Sequence, residues 1–111
     1  ILDIINSREN GLVARILTDY EKKAYQKAAH KDQFLASRFA AKEAFGKALR
    51  TGLSAPATFQ NIIVMSDENN APFFKYQSKL SVYMKNLAIK SVYLSIAHEK
   101  DLSTAFVLIE R

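Results

Sequence analysis

At 111 residues, 49% of them hydrophobic, the chain is long enough for one domain with one core and too short for two. The lack of cysteine excludes disulfides and thiolate metal sites, and no apolar run approaches the roughly 20 residues that span a bilayer. A net charge of +5 suits an anionic partner, whether nucleic acid, a phosphate-rich cofactor or an acidic protein, without separating them.

The opening carries Asp3, Arg8 and Glu9, which argues against a signal peptide, and it lacks an initiator Met, as expected if the sequence starts a few residues in. With no cysteine and no membrane span, the expected location is the cytoplasm. Ile1 to Asn6 reads as a short strand whose apolar run is broken by Asp3. A buried aspartate there must be paired or metal-bound; on an edge or a frayed terminus it faces water. Ser7 to Leu17 reads as a short helix carrying Arg8 and Arg15. Thr18-Asp-Tyr-Glu21 is a capping box, with a Thr side chain on the N3 amide and a Glu reaching back. It opens a helix to about His30, with Tyr20, Ala24 and Ala28 on one face. His30 and Lys31 form a basic joint.

The run Phe34-Leu-Ala-Ser-Arg-Phe-Ala-Ala-Lys-Glu-Ala-Phe-Gly-Lys-Ala-Leu-Arg-Thr-Gly52 is rich in good helix formers and reads as one long helix. Asp32 is its expected N-cap and Gly52 its expected left-handed C-cap. Phe34, Ala41, Ala44, Phe45, Ala48 and Leu49 share the core face. On the other side Glu43, Lys47 and Arg50 fall at i, i+4 and i+7. Ala36, Phe39, Ala40 and Gly46 surround the carboxylate, small enough in part for something large to approach the backbone. Spacing leaves two readings of Glu43 and Lys47. One is a solvated ion pair worth a few tenths of a kcal/mol. The other is a metal-ligating carboxylate beside a cation for phosphate.

After a loop, Thr58 to Ser66 reads as a strand, Asp67 to Pro72 as a turn and Phe73 to Tyr76 as the returning strand. The acidic pair in the turn lacks the ligand spacing of a calcium loop and reads as solvated turn chemistry. Ser78 to Leu87 is an amphipathic helix with Leu80, Tyr83, Met84 and Leu87 on one side. Val92 to His98 and Thr104 to Glu110 are strands joined by 99–103. The expected fold is α+β: a single compact domain over residues 1–111, mostly antiparallel sheet packed on a long central helix. Val92, Leu94, Ile96 and His98 share a strand face, where a terminal histidine is either hydrogen-bonded structure or part of a pocket.

The central run resembles the signature helix of the holo-acyl-carrier-protein synthases, the small bacterial 4′-phosphopantetheinyl transferases. Asp3-Ile4-Ile5, Arg15-Ile-Leu-Thr-x-x-Glu21 and Ser95-Ile-Ala-His-Glu99 resemble further motifs of that family in the same order, so the resemblance spans nearly the whole chain. It departs where Ile1 replaces a usual glycine, where the segment before Arg15 is short, and where Arg50 replaces the first glycine of a Gly-Thr-Gly loop. The resemblance implies Mg²⁺-dependent transfer of 4′-phosphopantetheine from coenzyme A to a serine of apo-acyl carrier protein. Adenosine 3′,5′-bisphosphate would be released, in support of fatty acid biosynthesis. It implies the 4′-phosphopantetheinyl transferase fold and a homotrimer with active sites between subunits. Asp3 and Glu43 would hold Mg²⁺, and Glu43 and Lys47 would be catalytic. Lys31, Arg38, Lys47, Thr51, Gly52, Pro72 and His98 would line the coenzyme A site, and Arg8 and Arg15 would touch the carrier protein. Phe73, Phe74, Tyr76 and Tyr93 are spare aromatics compatible with an oligomer. Neither nucleic acid nor membrane is an expected partner. The competing readings are a basic nucleic-acid-binding module, supported only by charge and aromatic content, and an inactive relative that still binds carrier protein.

Overall fold

The computed structural model describes residues 11–100 and 102–111. The strand expected over Ile1 to Asn6, with Asp3, and the position of Arg8 lie outside the described residues. Helix α1, described over 11–16, leads into the Thr18 capping box. Both halves of that box form: the Glu21 amide donates to Thr18 Oγ1 at 3.3 Å, and the Thr18 amide donates to Glu21 Oε1 at 2.7 Å. Helix α2 then runs Asp19–Lys27. Its buried residues are Glu21 and Tyr25, whereas Tyr20 and Ala24 are exposed, so the inward face is one residue out of phase with the expected one. The carboxylate of the capping box itself turns inward, which a pattern of apolar residues does not signal.

Helix α3 spans Lys31–Leu49 and is the spine of the molecule. It starts earlier than expected. His30 is at the N-cap without a side-chain cap bond, and Asp32 lies in the first turn, where a carboxylate complements the helix dipole. It also ends earlier. The C-cap is Arg50, left-handed at φ 70°; Gly52 is left-handed as expected, at φ 62°, but stands two residues beyond the cap. The amides of Thr51 and Gly52 both donate to the carbonyl of Gly46, at 3.1 and 3.0 Å, which folds the chain back onto the last turn.

A 3₁₀ turn, Phe59–Asn61, precedes strand β1, Ile62–Ser66, which pairs antiparallel with β2, Pro72–Tyr76, from Ile62 opposite Tyr76 to Ser66 opposite Pro72. The turn between them is set by Asp67, whose Oδ1 accepts the amides of Asn69 and Ala71 at 2.8 and 2.9 Å. Helix α4, Ser78–Asn86, buries Leu80 and Met84. Strands β3, Ser91–Glu99, and β4, Leu102–Glu110, form a second antiparallel pair with Leu94 opposite Val107 and His98 opposite Ser103.

The core lies between α3 and these two hairpins. Ala41, Phe45 and Leu49 recur at i, i+4 and i+8 and are buried with Ile62, Val64, Phe74, Leu80 and Met84. Each fully buried Phe or Leu of this stripe contributes about 1.5–3 kcal/mol. Phe45 packs its ring 5.1 Å from Phe74 and 5.4 Å from Tyr76. Two of the expected spare aromatics are therefore core residues. The exposed apolar side chains include Phe73, Tyr93, Leu102, Phe106 and Leu108, the last four on the outer face of the β3–β4 pair. The result is a small α+β unit of antiparallel strands on a long helix.

Candidate active site

The outer side of α3 presents Glu43 and Lys47 side by side. Lys47 Nζ lies 4.0 Å from Glu43 Oε1, with the side chains 76% and 47% exposed, so the carboxylate is half sheltered while the ammonium is free to reach. A pair this open contributes little to folding. Gly46, between them on the helix, does not open the backbone to a ligand; the chain's own Gly52 fills that space. Thr51 Oγ1 donates to the carbonyl of Gly52 at 2.8 Å, completing the tight return beyond the helix end.

Arg38 lies one turn before Lys42. Its guanidinium stacks 3.9 Å above the Phe34 ring, Nη1 donates to Ser37 Oγ at 2.9 Å, and Nε is buried without a hydrogen-bond partner. Burial pushes the Arg38 pKa down, opposed by the nearby charge of Glu21. The buried Nε is closed to an incoming ligand, so an added anion would meet the guanidinium at its outer nitrogens.

Near the start of α3 a cavity of about 860 Å³ is lined by His30, Lys31, Asp32, Ala36, Lys100 and Ser103 among others. Among the described residues three basic side chains face one acidic one. Lys31 Nζ also donates to the carbonyls of Gln26 and Ala28, at 3.2 and 3.3 Å, closing the C-terminal end of α2. His98 reaches the cavity wall through Ser103, its Nδ1 2.9 Å from Ser103 Oγ. The cavity wall ends near Ala36. Glu43 is seven residues further, about 10 Å along the axis, so one long ligand could touch both.

The structure thus joins Lys31 with the His98–Ser103 pair at one end of α3, and Glu43 with Lys47 further along. Pro72 opens β2 opposite Ser66 and lies outside the lining of that cavity. Arg15 has an exposed side chain on α1, while Gln60 holds the carbonyls of Ala14, Arg15 and Leu17. Lys100 and Ser103 were not singled out from the sequence. They arrive at the cavity through the β3–β4 turn, where Lys100 is left-handed at φ 55°. A two-strand pattern with a polar turn was the available signal, but nothing local shows which helix end the turn meets.

The fold and this helix define a class. A family model described as the 4′-phosphopantetheinyl transferase superfamily matches residues 2–107. The holo-[acyl-carrier-protein] synthase of Nitrosomonas eutropha is 42% identical over 97 residues, covering 87% of this chain and 78% of that protein. The crystal structure of the Neisseria meningitidis holo-[acyl-carrier-protein] synthase is similar with a TM-score of 0.92 and 35% identity, over 99% of this chain and 88% of that one. The Bacillus anthracis synthase in complex with CoA (3′,5′-ADP) matches with a TM-score of 0.75 and 30% identity, over 97% of this chain and 87% of that one. The chain belongs to the 4′-phosphopantetheinyl transferase superfamily, in its holo-[acyl-carrier-protein] synthase family. It is an enzyme, a phosphopantetheinyl transferase of the synthase type.

Proposed function

We propose that this chain transfers the 4′-phosphopantetheine arm of coenzyme A to a serine hydroxyl of an apo-acyl carrier protein. Adenosine 3′,5′-bisphosphate is released, and the product serves fatty acid biosynthesis in the cytoplasm. The observation that carries the reading is the Glu43–Lys47 pair, half sheltered on an anchored helix, in a chain whose relatives include a synthase bound to coenzyme A.

The serine hydroxyl gives its proton to a general base, its oxygen bonds to the phosphorus bearing the pantetheine arm, and the bond from that phosphorus to the bridging diphosphate oxygen breaks. Charge moves onto the departing phosphate. Such a step needs positioning and charge neutralisation more than covalent help. Lys47 meets the charge that develops on the diphosphate. Arg38 offers the outer edge of its guanidinium to another phosphate. Lys31, with His30 and Lys100, draws the anionic nucleotide end toward the cavity, where His98 steadies Ser103. We assign Thr51, Gly52 and Pro72 to the nucleotide as well; Thr51 and Gly52 lie beyond the far end of α3 from Lys31, so in the trimer they would come from a neighbouring subunit. Arg8 and Arg15 face the acidic carrier protein.

We assign Mg²⁺ to Glu43, half sheltered on the outer side of α3; no three His, Asp or Glu side chains gather among the described residues. Mg²⁺ is commonly held by one or two carboxylates with substrate phosphate and water at the remaining places. Glu43 and Asp3 are the two we assign. When bound, the ion would draw charge from the diphosphate oxygens, an effect worth several kcal/mol.

We also propose a homotrimer with the sites between subunits. The outer face of β3–β4, with Tyr93 opposite Leu108 and Ser95 opposite Phe106, supports it: an apolar sheet face of this kind is ordinarily covered. The experiment is incubation of the protein with coenzyme A, Mg²⁺ and apo-carrier protein, followed by intact mass measurement of the carrier. The expected result is a carrier heavier by one phosphopantetheine arm, and no gain with the Glu43→Gln protein. An unchanged carrier with the unaltered protein overturns the reading.

A further inference from the structure

The joint of five elements is a buried ion pair to which the transfer reaction assigns no role. Lys42 Nζ donates to Ile16 O at 2.7 Å, to Glu21 Oε1 at 2.7 Å and to Phe59 O at 2.9 Å. A lysine ammonium has three donors, and all three are used. Glu21 accepts the Thr18 amide at Oε1 and the Val64 amide at Oε2, each at 2.7 Å. The two side chains are 0% and 1% exposed. The acceptors and donors belong to the end of α1, the start of α2, the 3₁₀ turn and strand β1. From α3, Lys42 supplies the hydrogen bonds to this group, beside the ring contacts Phe34–Tyr25 and Phe39–Phe59.

Stability is a poor reason to keep such a pair. Removing two charges from water costs several kcal/mol each, and apolar residues of similar volume commonly do as well or better. Burial pushes the Lys42 pKa down against the pull of Glu21, so the desolvation cost is felt here. Direction is what an apolar pair would not supply. Apolar contacts tolerate some rotation and sliding of a helix, whereas three short hydrogen bonds to fixed acceptors do not. Glu43 follows Lys42 at about 100° around the axis, and Lys47 lies one turn beyond Glu43. Pinning the Lys42 ammonium inside therefore determines where the Glu43 carboxylate and the Lys47 ammonium emerge. Arg38, one turn before Lys42, lies within the field of the same Glu21 charge.

We propose that Lys42 and Glu21 are positioning residues for the transfer reaction, fixing the rotation and axial placement of α3 so that Glu43 and Lys47 meet the diphosphate together. This rests on the transferase reading above. A displacement of about 1 Å at reacting groups can lower a rate on the order of 100-fold, so the pair has leverage on turnover without touching substrate.

The test compares Lys42→Met, Glu21→Gln/Lys42→Met and Lys42→Arg with the unaltered protein. Four quantities are measured: thermal midpoint, kcat, KM for coenzyme A, and Mn²⁺ affinity by electron paramagnetic resonance with coenzyme A present and carrier absent. Lys42→Met leaves Glu21 buried and unpaired, and it should lose both stability and transfer. The double variant should regain most of the midpoint. Its kcat should stay down about tenfold or more, with Mn²⁺ affinity weakened about fivefold and KM changed by less than about threefold. Lys42→Arg keeps the charge with a different reach. It should fold and show the same split in milder form, and it decides the matter if the double variant does not fold. A double variant or Lys42→Arg with both midpoint and kcat near those of the unaltered protein overturns the proposal, since the pair would then be structural only. Absence of transfer by the unaltered protein sinks the functional reading instead, a distinct result.

Discussion

The place a Cβ on Gly46 would occupy lies 2.7 Å from the carbonyl carbon and 2.7 Å from the oxygen of Gly52. Glycine in a helix interior costs about 1 kcal/mol relative to alanine, so Gly46→Ala ought to help an ordinary helix. Here the backbone of Gly52 must move away. The expected result is a loss of about 1–3 kcal/mol in urea unfolding, with a raised KM for coenzyme A as the Thr51–Gly52 segment shifts. A variant as stable as the unaltered protein would mean that the close return is not maintained.

Lys47→Ala separates chemistry from folding. The pair with Glu43 is open and 4.0 Å long, so stability should change by less than about 0.5 kcal/mol. If Lys47 meets charge developing on the diphosphate, kcat should fall about 10- to 100-fold. Steady-state kinetics beside a urea titration checks both. Equal loss of both would mark a structural lysine.

What was legible in the sequence was local or periodic. The Thr18–Glu21 box, the α3 stripe of Ala41, Phe45 and Leu49, both hairpins and the α4 face all repeat at short spacing and were found, except that Phe59–Asn61 form a 3₁₀ turn where the strand was expected from Thr58. What was missed depends on distant partners. Lys42 reads as a helix-forming surface lysine, and its acceptors stand at Ile16, Glu21 and Phe59. Arg50 takes the left-handed cap because the chain must turn at that point to reach Gly46, although Gly52 is the residue that propensity favours. Phe74 and Tyr76 read as available aromatics until the β2 register turned them onto Phe45. The site was legible mainly through resemblance, since an i,i+4 Glu–Lys pair alone is common on helices.

Tyr76 gives a pH signature. Burial pushes its phenol pKa up. The unfolded chain releases that proton near pH 10, while the folded chain holds it to higher pH. Its contribution is therefore complete below about pH 10 and is lost as pH rises beyond that point. The lowered Lys42 pKa acts in the opposite sense, adding stability as pH climbs toward its ordinary value. Comparing Tyr76→Phe with the unaltered protein cancels every shared group. Above pH 10 the variant should lose stability with pH less steeply, by up to about one proton. Parallel curves would place the phenol in water.

Phe106 tests the assembly. It is 66% exposed on the outer sheet face, diagonal to Tyr93 and two residues before Leu108 on the same strand. Phe106→Glu should leave the monomer folded, convert a trimer to monomers by light scattering, and lower transfer about tenfold or more if sites lie between subunits. A trimer that survives the substitution assigns this face to something else.

The most direct measurement is a crystal structure of the protein with coenzyme A and Mn²⁺, the metal located by anomalous scattering. The expected result is one Mn²⁺ bound to the carboxylates of Glu43 and Asp3 and to a diphosphate oxygen, with Lys47 on the same diphosphate. A metal elsewhere, or Glu43 and Asp3 in separate regions with no ion between them, would contradict the account.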